Sequence, residues 1–263
     1  MTDAPPLRPS LDADSLATSA PGSFTVEVVD TAASTNALVA ERARSGAPAG
    51  LVVVAEHQTS GRGRLDRSWE TPARSALTVS VLVRPDSHPD RWPWLPLLTG
   101  LAAHAALPEG AALKWPNDVL LGDRKVAGIL VELVETPTGP AAVLGIGINV
   151  GMTADELPVE TATSLAVEGH DFDRTALLIA FLGELAAQLD RWARGREADP
   201  EVRAEYVERC STIGRDVEVA LPSGETITGR ALDVDEGGRL VVRTDAGTTA
   251  VGAGDVVHVR PTG

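Results

Sequence analysis

The stretch Ala112-Leu113-Lys114-Trp115-Pro116-Asn117-Asp118-Val119-Leu120-Leu121-Gly122-Asp123-Arg124-Lys125-Val126-Ala127-Gly128-Ile129-Leu130-Val131-Glu132 decides how this chain is read. It holds both lysines, Lys114 and Lys125, of a 263-residue chain that has 23 Lys and Arg in all. Elsewhere the cation is arginine, a planar fork, where lysine is a compact point charge on a flexible stem. Pro116 biases Trp115 to an extended backbone. Pro116-Asn117-Asp118 is a turn, with the proline pre-setting φ and the two polar residues bonding nearby backbone. Leu121-Gly122-Asp123-Arg124 predicts a tight hairpin turn. Val126 to Val134 then forms an apolar strand, in which Gly128 offers a ligand close approach to the backbone. Strands joined in this way bring Lys114 and Lys125 to one end of a sheet, near Asn117 and Asp118. Two cations with an amide and a carboxylate suit an anionic substrate, with or without a metal ion.

Outward from this stretch, composition sets bounds. An apolar fraction of 43% is ample for a core, and the length fits one large domain or one large plus one small. The net charge of −14 argues against coating nucleic acid through a general positive field, but not against a small anion in a locally basic pocket. A single cysteine, Cys210, permits no internal disulfide and no cysteine-based zinc site, which fits a reducing cytoplasm. No run is long and apolar enough to span a membrane. Residues 1–23 are rich in Pro, Ser, Ala and Asp without a signal-peptide pattern, so a flexible tail is expected there.

Phe24 to Val29 alternates as a strand and Ala37 to Arg44 reads as a helix. Ser34, Thr35 or Asn36 between them caps that helix. The same hydroxyls and amide at a helix N-terminus also suit a polar ligand. Leu51 to Ala55 is a buried strand. It runs into Glu56-His57-Gln58-Thr59-Ser60-Gly61-Arg62-Gly63-Arg64-Leu65-Asp66-Arg67-Ser68-Trp69, where arginines alternate with glycines before a tryptophan. Glycine lets backbone approach a ligand, and arginine clamps carboxylate or phosphate at two points. No Gly-Lys-Ser/Thr ends the segment, so it is not a P-loop. Ala76 to Val83 is a strand and Trp92 to Leu107 a helix. Ala141 to Gly151 is a strand whose Gly145-Ile146-Gly147-Ile148-Asn149 lacks the dinucleotide spacing and places Asn149 at its end. Asp173 to Arg194 is a helix ending at Gly195, with Leu177, Phe181, Leu185, Leu189 and Trp192 as its core stripe. Asp199 to Cys210 is a second. Beyond Ile213, five short strands (216–221, 226–233, 240–244, 248–251 and 256–260) separated by glycine turns read as a small β-barrel.

Together Ser34-Thr35-Asn36, Gly61-Arg62-Gly63-Arg64 with Trp69, Lys114-Trp115-Pro116-Asn117-Asp118 and Arg124-Lys125-Val126-Ala127-Gly128-Ile129-Leu130-Val131-Glu132 resemble the biotin–protein ligases, over roughly residues 25 to 260. The resemblance implies an α/β (α+β) fold. Its parts are a mixed sheet flanked by helices, like class II aminoacyl-tRNA synthetases and lipoate ligases, over residues 24–211, and an SH3-like barrel over 212–263. It implies adenylation of biotin by ATP with Mg2+, then transfer to a lysine of a biotin carboxyl carrier domain. It gives biotin contacts to Ser34, Thr35, Asn36, Gln58, Arg62, Gly63, Arg64 and Lys125. ATP or adenylate contacts fall to Arg64, Arg67, Trp69, Lys114, Asn117, Asp118 and Asn149. Trp69 stacks on adenine and Asp118 holds Mg2+ through water; Lys125, Arg62, Arg64 and Lys114 carry the catalysis. Some members repress transcription through an N-terminal winged helix, for which residues 1–23 are too short, so no DNA binding is expected. A lipoate or octanoate ligase of the same fold, and a non-enzymatic regulatory binding protein, are the rival readings; monomer and homodimer both stay open.

Overall fold

The computed structural model describes residues 8–65, 67–86, 88–194 and 200–259. Asp66, the expected helix end at Gly195, the expected helix start at Asp199 and the expected strand end at Arg260 lie outside the described residues, as do residues 1–7. In chain order the elements begin with α1 (Ala13–Ser19), β1 (Thr25–Ala32), α2 (Thr35–Arg44), β2 (Leu51–Gln58), the two-residue strands β3 (Gly61–Arg62) and β4 (Ser68–Trp69), and β5 (Ala76–Val83). Next come α3 (Leu95–Ala106), β6 (Ala111–Lys114), β7 (Asp118–Leu121), β8 (Arg124–Thr136) and β9 (Gly139–Asn149). The chain closes with α4 (Arg174–Arg194), α5 (Pro200–Arg209), β10 (Asp216–Ala220), β11 (Thr226–Val234), β12 (Leu240–Thr244), β13 (Gly247–Val251) and β14 (Asp255–His258). Described residues of Met1–Arg84 with Arg124–Leu182 make one compact unit, and those of Pro85–Asp123 with Gly183–Gly263 a second.

The first unit is a mixed sheet in the order β1-β2-β5-β9-β8. β1 and β2 run parallel, from Thr25↔Leu51 to Ala32↔Gln58, so the chain needs a crossover, and α2 supplies it. The other pairings are antiparallel. Every residue of β5 is buried, which is why apolar residues occupy both of its faces rather than one. Val39, Ala40 and Ala43 of α2 pack with Leu51, Val53, Leu82, Val134, Ala141 and Val143 in one core. Each large aliphatic side chain so buried stabilises the unit by about 1.5–3 kcal/mol.

The N-terminal segment from Arg8 is not the flexible tail its composition predicts. Leu16 of α1 is fully buried and Asp12 caps the helix by accepting from Ser15 N. Leu11 N donates to Glu56 Oε1 at 2.7 Å, and Arg174 donates to Pro9 O at 2.7 Å and to Glu56 Oε2 at 2.6 Å. Arg8 pairs with Glu156. The Glu56 and Arg174 side chains are each 5% exposed, and removing one partner of such a pair costs about 3–5 kcal/mol. The composition of the segment conceals this, because what orders it comes from partners 45 and 165 residues away.

In the second unit β6 and β7 form an antiparallel hairpin. The helix expected from Trp92 opens later: Pro89–Trp94 is a 3-10 helix with Pro93 inside it, and α3 starts at Leu95. Proline removes a backbone donor and blocks the regular helix there. The five terminal strands form an antiparallel sheet in the order β13-β12-β11-β10-β14. Val217 and Val219 alternate inward on β10. This compact unit is larger than the barrel segment alone. Trp94 Nε1 donates to Glu236 O at 2.7 Å, Trp115 Nε1 to Gly238 O at 3.0 Å and Arg203 Nε to Val234 O at 2.6 Å. Those three bonds fix α5, the 3-10 turn and the lysine hairpin to the barrel turns. No helix among the described residues is long and apolar enough to cross a membrane.

Candidate active site

On the first unit three strands line up small residues. Thr78 of β5 faces Gly147 of β9, which faces Gly128 of β8; one step along, Ser80 faces Gly145, which faces Leu130. Residues opposite one another in antiparallel strands share a face. A Cβ on Gly145 would lie 2.1 Å from Asn36 Oδ1, and one on Gly147 would lie 2.4 Å from Trp69 Cε2. On Gly128 it would meet Lys125 Nζ and Trp69 Cζ3, each at 3.0 Å. These glycines therefore clear a floor on which Asn36, Trp69 and Lys125 rest.

A buried polar cluster stands over this floor. Ser34 caps α2, accepting from Ala37 N at 3.4 Å. Gln58 Oε1 accepts from Thr35 N at 2.8 Å and from the Thr35 hydroxyl at 3.1 Å. Ser80 Oγ donates to Asn36 Oδ1 at 2.6 Å and lies 2.8 Å from Thr35 Oγ1. Asn36 Nδ2 donates to Leu130 O at 3.1 Å and to Glu132 Oε2 at 2.7 Å. Ser34, Thr35, Asn36, Gln58 and Ser80 are all buried. Ser34 caps the start of the helix, while Thr35 and Asn36 are held in fixed orientations. Ser80 and Glu132 were missed as site residues. The signal for Ser80 was a hydroxyl two residues from Thr78 in the mainly apolar β5; Glu132 carried none beyond its place at the end of the quoted stretch.

The arginine segment folds as a short hairpin, with Gly61 opposite Trp69 and Arg62 opposite Ser68. Gly63 N donates to Arg67 O at 2.7 Å, and Leu65 takes a left-handed backbone with φ of 53°. Arg62 is paired with Glu132 at 2.8 Å. Trp69 Nε1 is buried and meets no acceptor among the described residues. Lys125 Nζ lies 5.7 Å from the Trp69 ring centroid, within reach of a cation–π attraction. Its backbone is clamped by residues 161–163: Lys125 N donates to Thr161 O and Thr163 N to Lys125 O, both at 2.8 Å. Asn149, predicted to face nucleotide, donates from Nδ2 to Thr163 O at 2.9 Å. It thereby braces the segment that holds Lys125.

Lys114, Asn117 and Asp118 belong to the second unit. Lys114 and Asp118 are register partners across the hairpin. Trp115 is 1% exposed, and its backbone N donates to Thr212 Oγ1 at 3.1 Å. The same Thr212 hydroxyl bonds His258 Nε2 at 3.1 Å. Burial, and then the positive charges of Lys114 and Arg215, push His258 down to about 4. No cluster of three or more His, Cys, Asp or Glu suited to a metal exists among the described residues.

The chain shares its sequence family and its fold with known proteins. Residues 28–149 match the model of the biotin/lipoate A/B protein ligase family, and residues 212–259 that of the biotin protein ligase C-terminal domain. The chain is 41% identical to the biotin–[acetyl-CoA-carboxylase] ligase of Mycobacterium tuberculosis, over 99% of this chain and 100% of that one. It is 30% identical to the bifunctional ligase/repressor BirA of Bacillus subtilis, covering 86% of this chain and 72% of that one. Among solved structures, a biotin protein ligase from Aquifex aeolicus in complex with biotin and ATP superposes with a TM-score of 0.75 at 28% identity, covering 90% of this chain and 99% of that one.

Proposed function

The chain belongs to the biotin protein ligases of the biotin/lipoate A/B protein ligase family, and we propose that it joins biotin to a lysine of a biotin carboxyl carrier domain in two steps. First, a biotin carboxylate oxygen attacks the α-phosphorus of ATP. The bond from that phosphorus to the bridging oxygen breaks, pyrophosphate leaves, and biotinyl-5′-AMP forms. Second, the ε-amine of the carrier lysine attacks the acyl carbon, the bond to the phosphate oxygen breaks, AMP leaves and the amine loses a proton. Substrate groups do the attacking in both steps, so the protein needs no nucleophile. Its task is to hold two mutually repelling anions in line and to stabilise developing charge.

One observation carries the reading: Lys125 Nζ and the Trp69 ring lie over the same glycine strip, in the face that also carries the buried Asn36 and Ser80. An apolar floor with convergent polar groups suits a small acid with one polar ring. Ser34, Thr35, Asn36 and Gln58 serve the ureido ring, and Lys125 with Arg62, Gly63 and Arg64 serves the carboxylate. Trp69 has a buried ring N–H and a face for adenine. Arg64 and Arg67 serve the phosphates. The family resemblance alone gives Lys114, Asn117 and Asp118 to the nucleotide. Mg2+ keeps most of its waters and binds few protein ligands, so Asp118 would hold it through water. When bound, that ion neutralises phosphate charge. The resemblance also gives Asn149 to the nucleotide, and its bond to Thr163 O braces the Lys125 segment. The catalytic domain is assigned to residues 24–211 and the barrel to 212–263.

The test is pyrophosphate release with ATP and Mg2+ and, in parallel, biotin, lipoate or octanoate, each with and without an apo carrier domain. Release with biotin alone, and label on the carrier lysine, is expected. Release with lipoate or octanoate instead overturns the substrate and keeps the adenylation; no release with any acid overturns the enzyme reading.

A further inference from the structure

One carboxylate joins the two halves of this face. Glu132 lies on β8, and its Oε2 accepts at once from Asn36 Nδ2 at 2.7 Å and from Arg62 Nη2 at 2.8 Å. The first donor belongs to the buried cluster, the second to the arginine hairpin. Glu132 and Arg62 side chains are 29% and 47% exposed, so water reaches their pair, whereas Asn36 is 4% exposed. The Asn36 carbonyl is separately held by Ser80 and its amide by Leu130 O, so Glu132 completes a set that fixes which way the amide points.

We infer that Glu132 is a positioning residue with two functions: it sets the Asn36 amide for the substrate ring, and it is the counter-ion that holds the arginine hairpin through Arg62 in the ligand-free protein. The inference rests on the biotin reading for the substrate and on geometry alone for the hairpin. A substrate carboxylate that engages Arg62 takes over a role that Glu132 fills before it arrives. Arg62 then exchanges one carboxylate for another, and the bond from Asn36 to Glu132 stays. Binding of the acid and release of the hairpin from β8 are thereby coupled through one oxygen. A partly exposed ion pair is weak and screened by salt, which suits a contact that must be given up on each turnover. The part-buried amide contact is charge-assisted and is not given up.

Two substitutions separate the functions. Glu132→Gln keeps an oxygen that accepts from Asn36 and removes the charge that holds Arg62; Glu132→Ala removes both. In the ligand-free protein, limited trypsin digestion read by mass spectrometry follows fragments that begin at Gly63, Leu65 and Ser68. Both variants should be cut there about threefold faster than the parent at low salt, and the difference should vanish at 1 M NaCl, where the parent's pair is screened. In pyrophosphate release, Glu132→Ala should raise the biotin KM about tenfold with little change in kcat, while Glu132→Gln restores KM to the parental value or below. Parental cleavage of Glu132→Gln, or a difference that survives high salt, overturns the counter-ion function. An equal rise of KM in both variants, or a fall of kcat together with melting temperature, overturns the Asn36 function. Digestion needs no substrate, so a protein that fails to adenylate biotin sinks the enzyme reading and still reports on the hairpin.

Discussion

Trp69 and Trp115 each sit at the edge of a cationic motif, and the fold uses them in opposite ways. Trp115 is 1% exposed, and its ring N–H is bonded to Gly238 O in its own unit. Trp69 is part-exposed, rests on glycines, has a lysine ammonium beside it, and offers a buried ring N–H that meets no acceptor among the described residues. The second unit uses its aromatic group to hold its own turn. The first keeps a polar handle and a flat face for something else. A satisfied buried donor marks architecture, and a poised one over a bare floor marks a binding surface.

Paired truncations break or support this contrast. Trp115→Ala should cost about 3–5 kcal/mol, by emptying a packed volume and leaving Gly238 O without its donor. For a chain of this size that lowers the melting temperature by roughly 10 °C. Trp69→Ala should leave melting within about 2 °C of the parent and weaken ATP binding, read by calorimetry, by about tenfold. If Trp69→Ala melts as low as Trp115→Ala, both tryptophans are structural and the contrast fails.

The lysines give the next largest effect. Lys125 has its backbone clamped on both sides by residues 161–163 while its ammonium projects over Gly128 and the Trp69 ring. Fixed backbone with a placed charge is what an oxyanion stabiliser requires. Lys125→Ala should lower biotin-dependent pyrophosphate release by a factor of about 10²–10³, equivalent to roughly 2.7–4 kcal/mol of transition-state stabilisation, with melting unchanged. A normal rate in that variant removes Lys125 from the chemistry and leaves Arg62, joined to the cluster through Glu132, as the candidate cation.

Much of this was legible in the sequence where the signal is local. The lysine hairpin, the glycine-arginine alternation and the short strands of the barrel are set by turn residues and period, which act over a few positions. What escaped is set by partners distant in the chain. Arg8, Leu11 and Pro9 are ordered by Glu156, Glu56 and Arg174. Ser80 becomes a site residue only because β5 lies beside β9 and under α2. Asn149 was recognised as a polar strand end, but only the fold shows its amide turned to Thr163. Gly145 and Gly147 were visible as a spacing with no role, since the bulk they avoid is brought by Asn36 and Trp69 from elsewhere. Sequence thus located the polar groups, and the fold decided which of them are held and which are offered.

The smallest expected effect sharpens the same contrast through the other lysine. Lys125 meets an aromatic face, whereas Lys114 shares its surroundings with the part-buried His258, whose pKa burial and then the charges of Lys114 and Arg215 lower from 6.5 to about 4. The folded value lies below the unfolded one, so between about pH 4 and 6.5 the unfolded chain binds a proton that the folded chain refuses. This group's contribution is fully present above pH 6.5, declines as pH falls through the window, and changes no further below about 4. The separation corresponds to about 3 kcal/mol at most, and half-exposure to solvent screens it to about 1 kcal/mol. Denaturant unfolding at pH 7 and at pH 4.5 should show the parent losing about 1 kcal/mol more than His258→Gln, a side chain that can still bond Thr212. Lys114→Met should move the His258 titration upward by NMR. An unmoved titration would mean that the Lys114 charge does not reach the barrel histidine, and that burial and Arg215 alone hold its pKa down.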